Sequence, residues 1–175
     1  MEGHQHIALN GFMGVGKTSI GKQLALQMHR PFIDTDEEIS SQMIMPITDI
    51  FSIHGESFFR ELEEKTVITA CNQQQRAILS LGGGAFLSEK ARAHCFAHTF
   101  VVSLHMSFEK WYARMTPFMD SRPLLQQKTL FELRNLYEER QLIYRDCHFQ
   151  LCVDELTINE AVMEIGRAYE GRGKI

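Results

Sequence analysis

The sequence predicts an α/β fold in which helices flank a parallel β-sheet. Short runs with β-strand character alternate with helical patterns along the chain, which is typical of βαβ units. A glycine-rich segment joins the first strand-like run to the first helical pattern. With 175 residues, 44% of them apolar, the chain can bury one sizeable core, so we expect a single domain over residues 1–175.

The elements follow one another in a regular order. Helix starts are indicated by Ser107 and by two capping boxes of the form T-x-x-E, which begin at Thr129 and Thr157. Residues 116–123, bounded by two prolines, have neither a helix nor a strand pattern and form a candidate lid. Strand character predicts strands at 6–10, 31–34, 77–81, 99–104 and 149–153. Helical periodicity predicts helices at 17–29, 36–43, 46–53, 56–74, 88–97, 108–115, 130–145 and 158–170.

Charge and composition narrow the classes of partner. The net charge of −4 and the isoelectric point near 6.1 do not favour a polyanionic partner. No apolar run approaches the ~20 residues that span a bilayer, and the six residues before Ile7 are too few for a signal peptide. Four cysteines without a CxxC pair or zinc-like spacing are typical of reduced thiols. We therefore expect a cytoplasmic protein that binds neither nucleic acid nor membranes.

The segment 11–18, GFMGVGKT, has the G-x-x-x-x-G-K-T form of a phosphate-binding loop. In such a loop the glycines let backbone N–H groups turn toward a β-phosphate at a helix N-terminus. Lys17 would reach the β- and γ-phosphates, and Thr18 could ligate Mg²⁺. Because a strand precedes the loop and a helix follows it, a chance glycine-rich turn is a poor alternative. The loop predicts nucleotide binding but leaves the phosphate acceptor open.

A switch GTPase is a poor interpretation of this loop. Such a protein carries a D-x-x-G element that senses the γ-phosphate, and none of the six aspartates is followed by glycine three positions later. The sequence also lacks the N/T-K-x-D element that reads guanine. A kinase for a small acceptor molecule is therefore favoured.

Two aspartates follow the second predicted strand in the segment 32–36, FIDTD. Alternation along the strand sends Asp34 and Asp36 the same way at its carboxyl end, where ligands bind in open α/β sheets. One carboxylate could hold a water of a Mg²⁺ shell, and the other could accept a proton or hydrogen bond from an acceptor hydroxyl. The alternative is that they merely cap the helix that begins near Glu37.

Three glycines follow the third predicted strand, at 82–84. They permit close approach of the backbone to a ligand, and a flexible turn is the alternative. Ser80, just before them, stands where many phosphate-loop enzymes have an acidic Mg²⁺ residue.

Two arginines lie on helices where packing alone does not require them. Arg140 falls within the apolar stripe of the helix after Thr129, so it needs an anion unless its side chain reaches the surface. Arg60 has Glu63 and Glu64 at i+3 and i+4, so a surface ion pair is the alternative to ligand binding.

Six motifs in a fixed order give the chain a family resemblance. They are GFMGVGKT, FIDTD, FFR at 58–60, LGGG at 81–84, RPLL at 122–125 and RQLIY at 140–144. The set resembles the shikimate kinases, and the resemblance runs over about residues 7–165. The order FIDTD, FFR, GGG, RPLL is far more specific than a phosphate loop alone. A related kinase such as a gluconate kinase is the second interpretation, and a non-catalytic nucleotide-binding or switch protein is a distant third.

The resemblance implies a three-layer αβα fold like that of the nucleoside monophosphate kinases, with a five-stranded parallel sheet in the order 2-3-1-4-5. It implies a substrate-binding helical region at about 35–62 and a small lid at about 115–124. It also implies transfer of the ATP γ-phosphate to the 3-hydroxyl of shikimate, giving shikimate 3-phosphate and ADP in chorismate and aromatic amino-acid synthesis. Mg²⁺ would be the cofactor, ATP and shikimate the ligands, and the protein a monomer.

Individual roles are implied by the same resemblance. Lys17, Asp36 and Arg122 would be catalytic, with Asp36 as the candidate base and Arg122 reaching the phosphates from the lid. Thr18 would ligate Mg²⁺ directly, and Asp34 would hold the metal through water. The nucleotide would contact Gly14, Val15, Gly16, Lys17, Thr18, Ser19, Arg114 and Arg122. Shikimate would contact Asp36, Arg60, Gly82, Gly83, Gly84 and Arg140. The two arginines of this second set would bind its carboxylate.

Three departures from the family pattern bear on these roles. Members often read R-x-P-L-Y where this chain has RQLIY, which leaves the helix unbroken and could shift the Arg140 side chain. The lid segment 115–121 holds no basic residue, whereas relatives often carry some. The segment 154–157, where the family closes over adenine, is short and acidic, which suggests modest nucleotide affinity.

Overall fold

The computed structural model describes residues 6–121, 125 and 127–171 and confirms the α/β prediction. The strands are β1 His6–Asn10, β2 Phe32–Asp34, β3 Ile78–Ser80, β4 Thr99–His105 and β5 Phe149–Cys152. The helices are α1 Lys17–Met28, α2 Thr35–Met43, α3 Ile47–Cys71, α4 Glu89–His98, α5 Phe108–Met115, α6 Leu130–Tyr144 and α7 Ile158–Gly171. Each strand lies within a residue or two of its predicted position, because the apolar runs and turn signals are local.

The five strands form one parallel sheet in the order β2-β3-β1-β4-β5, as the resemblance implied. All five residues of the central strand β1 are buried. Ile7 and Leu9 belong to one apolar cluster and Ala8 to another, because successive side chains point to opposite faces of the sheet. Helices cover both faces, and the carboxyl ends of β1, β2 and β3 meet at one edge, where ligands bind in open α/β sheets.

The long helix α3 is interrupted at the position that the sequence predicts. Its two parts were predicted as separate helices at 46–53 and 56–74, and Gly55 between them has a φ of +84° and a ψ of 169°, which lie outside the helical range and interrupt the helix. Ile39 of α2 packs with Ile50 and Phe59 of α3 in a small apolar cluster. In the part of the chain that the structure describes, no helix has both the length and the apolar character needed to cross a membrane.

The candidate lid is only partly described. Thr116–Ser121 forms a 3₁₀ helix directly after α5, so the prediction that this part has no helical structure is wrong. A short 3₁₀ run follows easily at the end of an α-helix, and no long apolar period is needed to signal it. Arg122 and its neighbours at 123 and 124 lie outside the described residues.

His6 at the start of β1 joins the sheet to the loop before β3. Its Nδ1 accepts a hydrogen bond from the Ala77 backbone N–H at 3.1 Å, and its Nε2 lies 3.1 Å from the Gln73 carbonyl oxygen. The ring is buried, and these two contacts suit the neutral form with its proton on Nε2. Burial lowers the pKa of His6, helped by the charges of His98 and Arg30 and opposed by the hydrogen bond to Gln73.

The lowered pKa of His6 predicts acid sensitivity of the fold. In the unfolded chain the pKa of His6 lies near 6.5. The neutral ring therefore contributes its full stabilisation of the fold above that pH. This contribution is lost as the pH falls toward the lower pKa of the folded state, because the unfolded chain takes up a proton first. His6→Gln should lower the free energy of unfolding at neutral pH by about 1–3 kcal/mol and should flatten its decline toward acid. Urea unfolding at several pH values measures both effects, with exposed His54→Gln as the control. An unchanged pH slope in His6→Gln would contradict the assignment.

Candidate active site

The phosphate-binding loop forms the turn between β1 and α1. Gly14 and Gly16 have φ values of +80° and +106°, a region that residues with a side chain rarely adopt. Gly16 is the N-cap of α1, so the backbone N–H groups that begin the helix lie at the loop. The backbone N–H groups and the positive end of the helix dipole meet here, which suits an anionic phosphate.

Lys17 is the first residue of α1, and its side chain folds back across the loop. Nζ donates hydrogen bonds to the carbonyl oxygens of Gly11 at 2.7 Å and Phe12 at 3.0 Å. The residue is buried, yet it lines the cavity above the loop. The ammonium group is therefore held among the backbone groups of the loop rather than in solvent.

Thr18 and Asp34 bring two oxygen donors together beside the loop. Thr18 Oγ1 donates to Asp34 Oδ2 at 2.8 Å. The other carboxylate oxygen, Oδ1, accepts from the N–H groups of Asp36 at 3.1 Å and Glu37 at 3.4 Å and so caps α2. The sequence analysis gave helix capping and a role in the site as alternatives for Asp34. In the structure Asp34 both caps α2 and contacts Thr18 in the site. A hydroxyl and a carboxylate fit Mg²⁺, which takes oxygen ligands and keeps several waters and phosphate oxygens.

A cavity of about 450 Å³ lies over the loop, within the size range of small-molecule sites. The loop forms its charged end, and Val153, Leu156 and Ile158 form its apolar end. Arg114 of α5 borders the cavity and donates from Nη1 to the Gly14 carbonyl oxygen at 3.3 Å. The predicted nucleotide contacts that line it are Gly14, Val15, Gly16, Lys17, Thr18, Ser19 and Arg114. One charged end and one apolar end fit the phosphates and the base of a nucleotide.

A second, smaller pocket of about 80 Å³ adjoins this cavity. Met13, Asp36 and Gly83 line both spaces. Arg60 of α3 and Arg140 of α6 come to the smaller pocket from two helices that are far apart in sequence. The remaining lining residues are Phe12, Ile47, Phe51, Phe59, Glu63, Gly84 and Leu136. A molecule in this pocket would lie next to the nucleotide cavity and would be bordered by two guanidinium groups.

Arg60 is held by carboxylates in this structure. Nη1 lies 2.6 Å from Glu63 Oε2, and Nη2 lies 3.1 Å from Glu56 Oε1. The guanidinium also lies over the rings of Phe51 and Phe59, at 5.8 Å and 5.3 Å from their centroids. Burial opposes its charge, but the two glutamates prevail and raise the pKa of Arg60. The sequence analysis gave an ion pair and ligand binding as alternatives for Arg60. In the structure Arg60 both forms ion pairs and lines the pocket.

Glu63 is a site residue that the sequence analysis missed. We took it only as a surface partner for Arg60, whereas its side chain is 3% exposed. Burial raises the pKa of Glu63, and the nearby charge of Asp36 acts in the same direction, against the favourable charge of Arg60. A signal was available, because Glu63 stands four residues from both Phe59 and Val67 in the buried stripe of α3.

Two of the three glycines after β3, Gly82 and Gly84, are required by the close approach of charged side chains. A Cβ atom at Gly82 would lie 2.6 Å from Asp36 Oδ1 and would also clash with Glu63, and one at Gly84 would overlap the guanidinium of Arg60. Gly83 has no such clash but faces both spaces of the site. Gly82 therefore lies behind the pocket wall, while Gly83 and Gly84 form part of it.

The helix α6 runs unbroken to Tyr144, as the RQLIY departure predicted. The departure does not remove Arg140 from the site, because its side chain still lines the smaller pocket. Arg122, the predicted phosphate contact of the lid, lies outside the described residues.

Comparisons with known proteins agree with this geometry. The sequence model of the family described as shikimate kinase matches residues 13–169. A shikimate kinase of Oceanobacillus iheyensis is 44% identical over 156 residues, which cover 89% of this chain and 85% of that protein. The crystal structure of shikimate kinase from Aquifex aeolicus superposes with a TM-score of 0.85 at 32% identity, over 96% of this chain and 98% of that one. Shikimate kinase from Acinetobacter baumannii in complex with shikimate gives a TM-score of 0.89 at 29% identity, over 97% and 94% of the two chains. Because the family model matches residues 13–169 and a curated relative is 44% identical over 89% of the chain, the chain belongs to the shikimate kinase family.

Proposed function

We propose that this protein transfers the γ-phosphoryl group of ATP to the 3-hydroxyl of shikimate, giving shikimate 3-phosphate and ADP for chorismate and aromatic amino-acid synthesis. The observation that carries the proposal is the pair of adjoining spaces that share Asp36 and Gly83. One space has a phosphate-binding loop, and the other has two arginines and two carboxylates. This arrangement brings a phosphate donor and a small acidic acceptor into contact, which is most of what phosphoryl transfer requires.

Cations stabilise the charge that spreads over the moving phosphoryl oxygens. Lys17 and the loop N–H groups from Gly14 to Ser19 would hold the β- and γ-phosphates, and Arg114 would lie against the nucleotide. Arg122 would reach the phosphates when the lid at about 115–124 closes and excludes water. Its role rests on the RPLL motif.

Thr18 and Asp34 would hold Mg²⁺, Thr18 directly and Asp34 through water. The bound ion would neutralise phosphate charge and orient the β- and γ-phosphates. The chain's own contribution is to keep the two oxygen donors 2.8 Å apart next to Lys17.

Asp36 would orient the acceptor hydroxyl. It lies at the boundary of the two spaces, where the hydroxyl must meet the phosphate. Since bond formation to the acceptor lags in a loose transition state, its main task is to accept the hydroxyl hydrogen bond and to take the proton late.

Arg60 and Arg140 would bind the shikimate carboxylate. Planar guanidinium groups suit a carboxylate because they can donate two parallel hydrogen bonds. Arg60 is already oriented by Glu63 and Glu56, so it can meet the ligand with little loss of side-chain freedom.

The organisation that accompanies this function is a single kinase domain over 1–175, with a substrate-binding helical region at about 35–62. We propose that the protein is a cytoplasmic monomer that acts without nucleic acid or membrane partners.

A coupled assay of ADP release tests the acceptor. Shikimate should raise ADP release far above the acceptor-free rate, whereas gluconate, nucleoside monophosphates and the 3-deoxy analogue of shikimate should not. Mass spectrometry of the product should show one added phosphoryl group. Faster turnover of gluconate would replace the proposed acceptor, and phosphorylation of the 3-deoxy analogue would refute the choice of hydroxyl.

A further inference from the structure

Tyr144 is the last residue of α6, and its buried hydroxyl contacts Gly83, which lines the acceptor pocket. It is 1% exposed, and its OH donates a hydrogen bond to the Gly83 carbonyl oxygen at 2.5 Å across 61 residues of sequence. The same helix carries Arg140 one turn earlier, so a single helical turn supplies a guanidinium to the pocket and a hydroxyl to its glycine wall.

The peptide between Gly83 and Gly84 is held at both ends. Tyr144 binds its carbonyl oxygen, and at the other end Gly84 lies so close to Arg60 that a Cβ atom there would overlap the guanidinium. The Gly84 backbone also favours the charged form of Glu63 and so lowers its pKa. Because a peptide unit is planar, fixing the carbonyl of Gly83 also fixes the direction of the Gly84 N–H group. Two glycines in succession give this peptide little intrinsic preference of its own, so its orientation depends on these partners.

Glu63 transmits this orientation to the pocket. It lies 2.6 Å from Arg60, and Arg60 lines the acceptor pocket. The contacts therefore run from Tyr144 through one peptide to Glu63 and then to Arg60. They connect α6, which carries Arg140, with α3, which carries Arg60.

We propose that Tyr144 is a positioning residue for the acceptor: its hydroxyl fixes the Gly83–Gly84 peptide, on which the Glu63–Arg60 pair is anchored. The inference rests on the proposed acceptor site. It predicts that the hydroxyl affects shikimate binding and leaves ATP binding almost unchanged, because its hydrogen bond lies behind the acceptor pocket and not in the phosphate loop.

The state of the phenol supports this role. Burial raises the pKa of Tyr144 well above its ordinary value near 10, and the charge of Glu63 adds to the effect, while Arg140 and Arg60 act against it. The hydroxyl therefore stays protonated and remains a donor at every pH at which the enzyme works.

Tyr137 offers a matched control on the same helix. It is 4% exposed, and its OH donates to the Met106 carbonyl oxygen, which is outside the lining of the acceptor pocket. Tyr144→Phe and Tyr137→Phe each remove one buried hydroxyl from a helix–backbone hydrogen bond and keep the ring. A merely structural effect would lower thermal stability in both variants and change shikimate binding in neither.

The test compares steady-state kinetics and calorimetric binding for the two variants and for Arg140→Ala. In Tyr144→Phe, the KM and Kd for shikimate should rise about tenfold, with the KM for ATP within about twofold. Tyr137→Phe should keep the wild-type values for both ligands. Unchanged shikimate affinity in Tyr144→Phe, or an equal rise in Tyr137→Phe, would overturn the inference.

Arg140→Ala separates this failure from failure of the proposed site. If Arg140→Ala weakens shikimate binding while Tyr144→Phe does not, only the role of Tyr144 is wrong. If Arg140→Ala also binds shikimate as the wild type does, the acceptor site itself is wrong, and the inference falls with it.

Discussion

Lys17→Met should remove most phosphoryl transfer while the protein stays folded. The ammonium group lies within the phosphate loop, 2.7 Å and 3.0 Å from two of its carbonyl oxygens. In the proposed reaction, negative charge on the moving phosphoryl group would develop beside it. Removing a preorganised group of this kind lowers kcat by about a hundredfold to a thousandfold. ADP release at saturating shikimate and ATP measures the loss. Thermal unfolding should change little, because the side chain contacts the loop rather than the apolar core.

Lys22→Met is the matched control for this prediction. Lys22 lies on the same helix, but its side chain is 55% exposed and pairs with Glu37 at 3.6 Å. This substitution removes one positive charge from α1 without touching the loop, so turnover should remain near that of the wild type. Near wild-type turnover in Lys17→Met would contradict the assignment of the loop.

The carboxamide analogue of shikimate should be a very poor acceptor. It keeps the ring and hydroxyls but leaves Arg60 and Arg140 without an anion between them. Losing a charged hydrogen-bonding partner amounts to about 1.5–3 kcal/mol, or one to two powers of ten in kcat/KM. The same coupled assay with acid and amide measures the difference, and equal rates would refute the carboxylate clamp.

Arg140→Ala supplies the second half of a double-mutant cycle. The substitution should strongly lower kcat/KM for shikimate and should hardly change kcat/KM for the carboxamide. The carboxamide lacks the carboxylate, so the interaction that the substitution removes is already missing with this acceptor. Arg134 lies on the same helix but is exposed and pairs with Glu109 at 3.0 Å. Arg134→Ala should therefore keep the wild-type kcat/KM for both acceptors. A loss in Arg140→Ala that is equal for acid and amide would show that Arg140 acts without contacting the carboxylate.

Arg60 needs a different substitution because it also neutralises a buried carboxylate. Arg60→Ala would leave Glu63 without its main countercharge, and uncompensated buried charge destabilises a fold. The rates of Arg60→Ala with the two acceptors would then reflect both the lost contact with the carboxylate and a local rearrangement around Glu63. The double variant Arg60→Gln/Glu63→Gln removes the charges together and is the more direct comparison with Arg140→Ala.

Local patterns in the sequence were sufficient for the secondary structure and for the donor half of the site. Apolar runs and capping signals depend on neighbours within a few residues, so strands and helices such as β1 and α6 fall close to their predicted bounds. GFMGVGKT is likewise one continuous segment, and its glycines, Lys17 and Thr18 work together because the chain is continuous there. One exception is the 3₁₀ helix Thr116–Ser121, because the prolines that bound this segment do not determine its local geometry.

The acceptor half depended on contacts that no local pattern contains. FIDTD, FFR, GGG and RQLIY are separated by dozens of residues, and only the parallel sheet brings them to one edge. The sequence alone named Arg60, Arg140 and the glycines through a family resemblance, without saying what orients them. The tertiary structure shows Asp34 capping α2 while it faces Thr18, Glu63 buried against Arg60, and Tyr144 bonded to Gly83. The physical reason is that packing between elements distant in sequence determines which side chains are buried and which hydrogen bonds they form. The sequence therefore does not distinguish a glutamate or tyrosine that faces solvent from one that is buried beside a binding pocket.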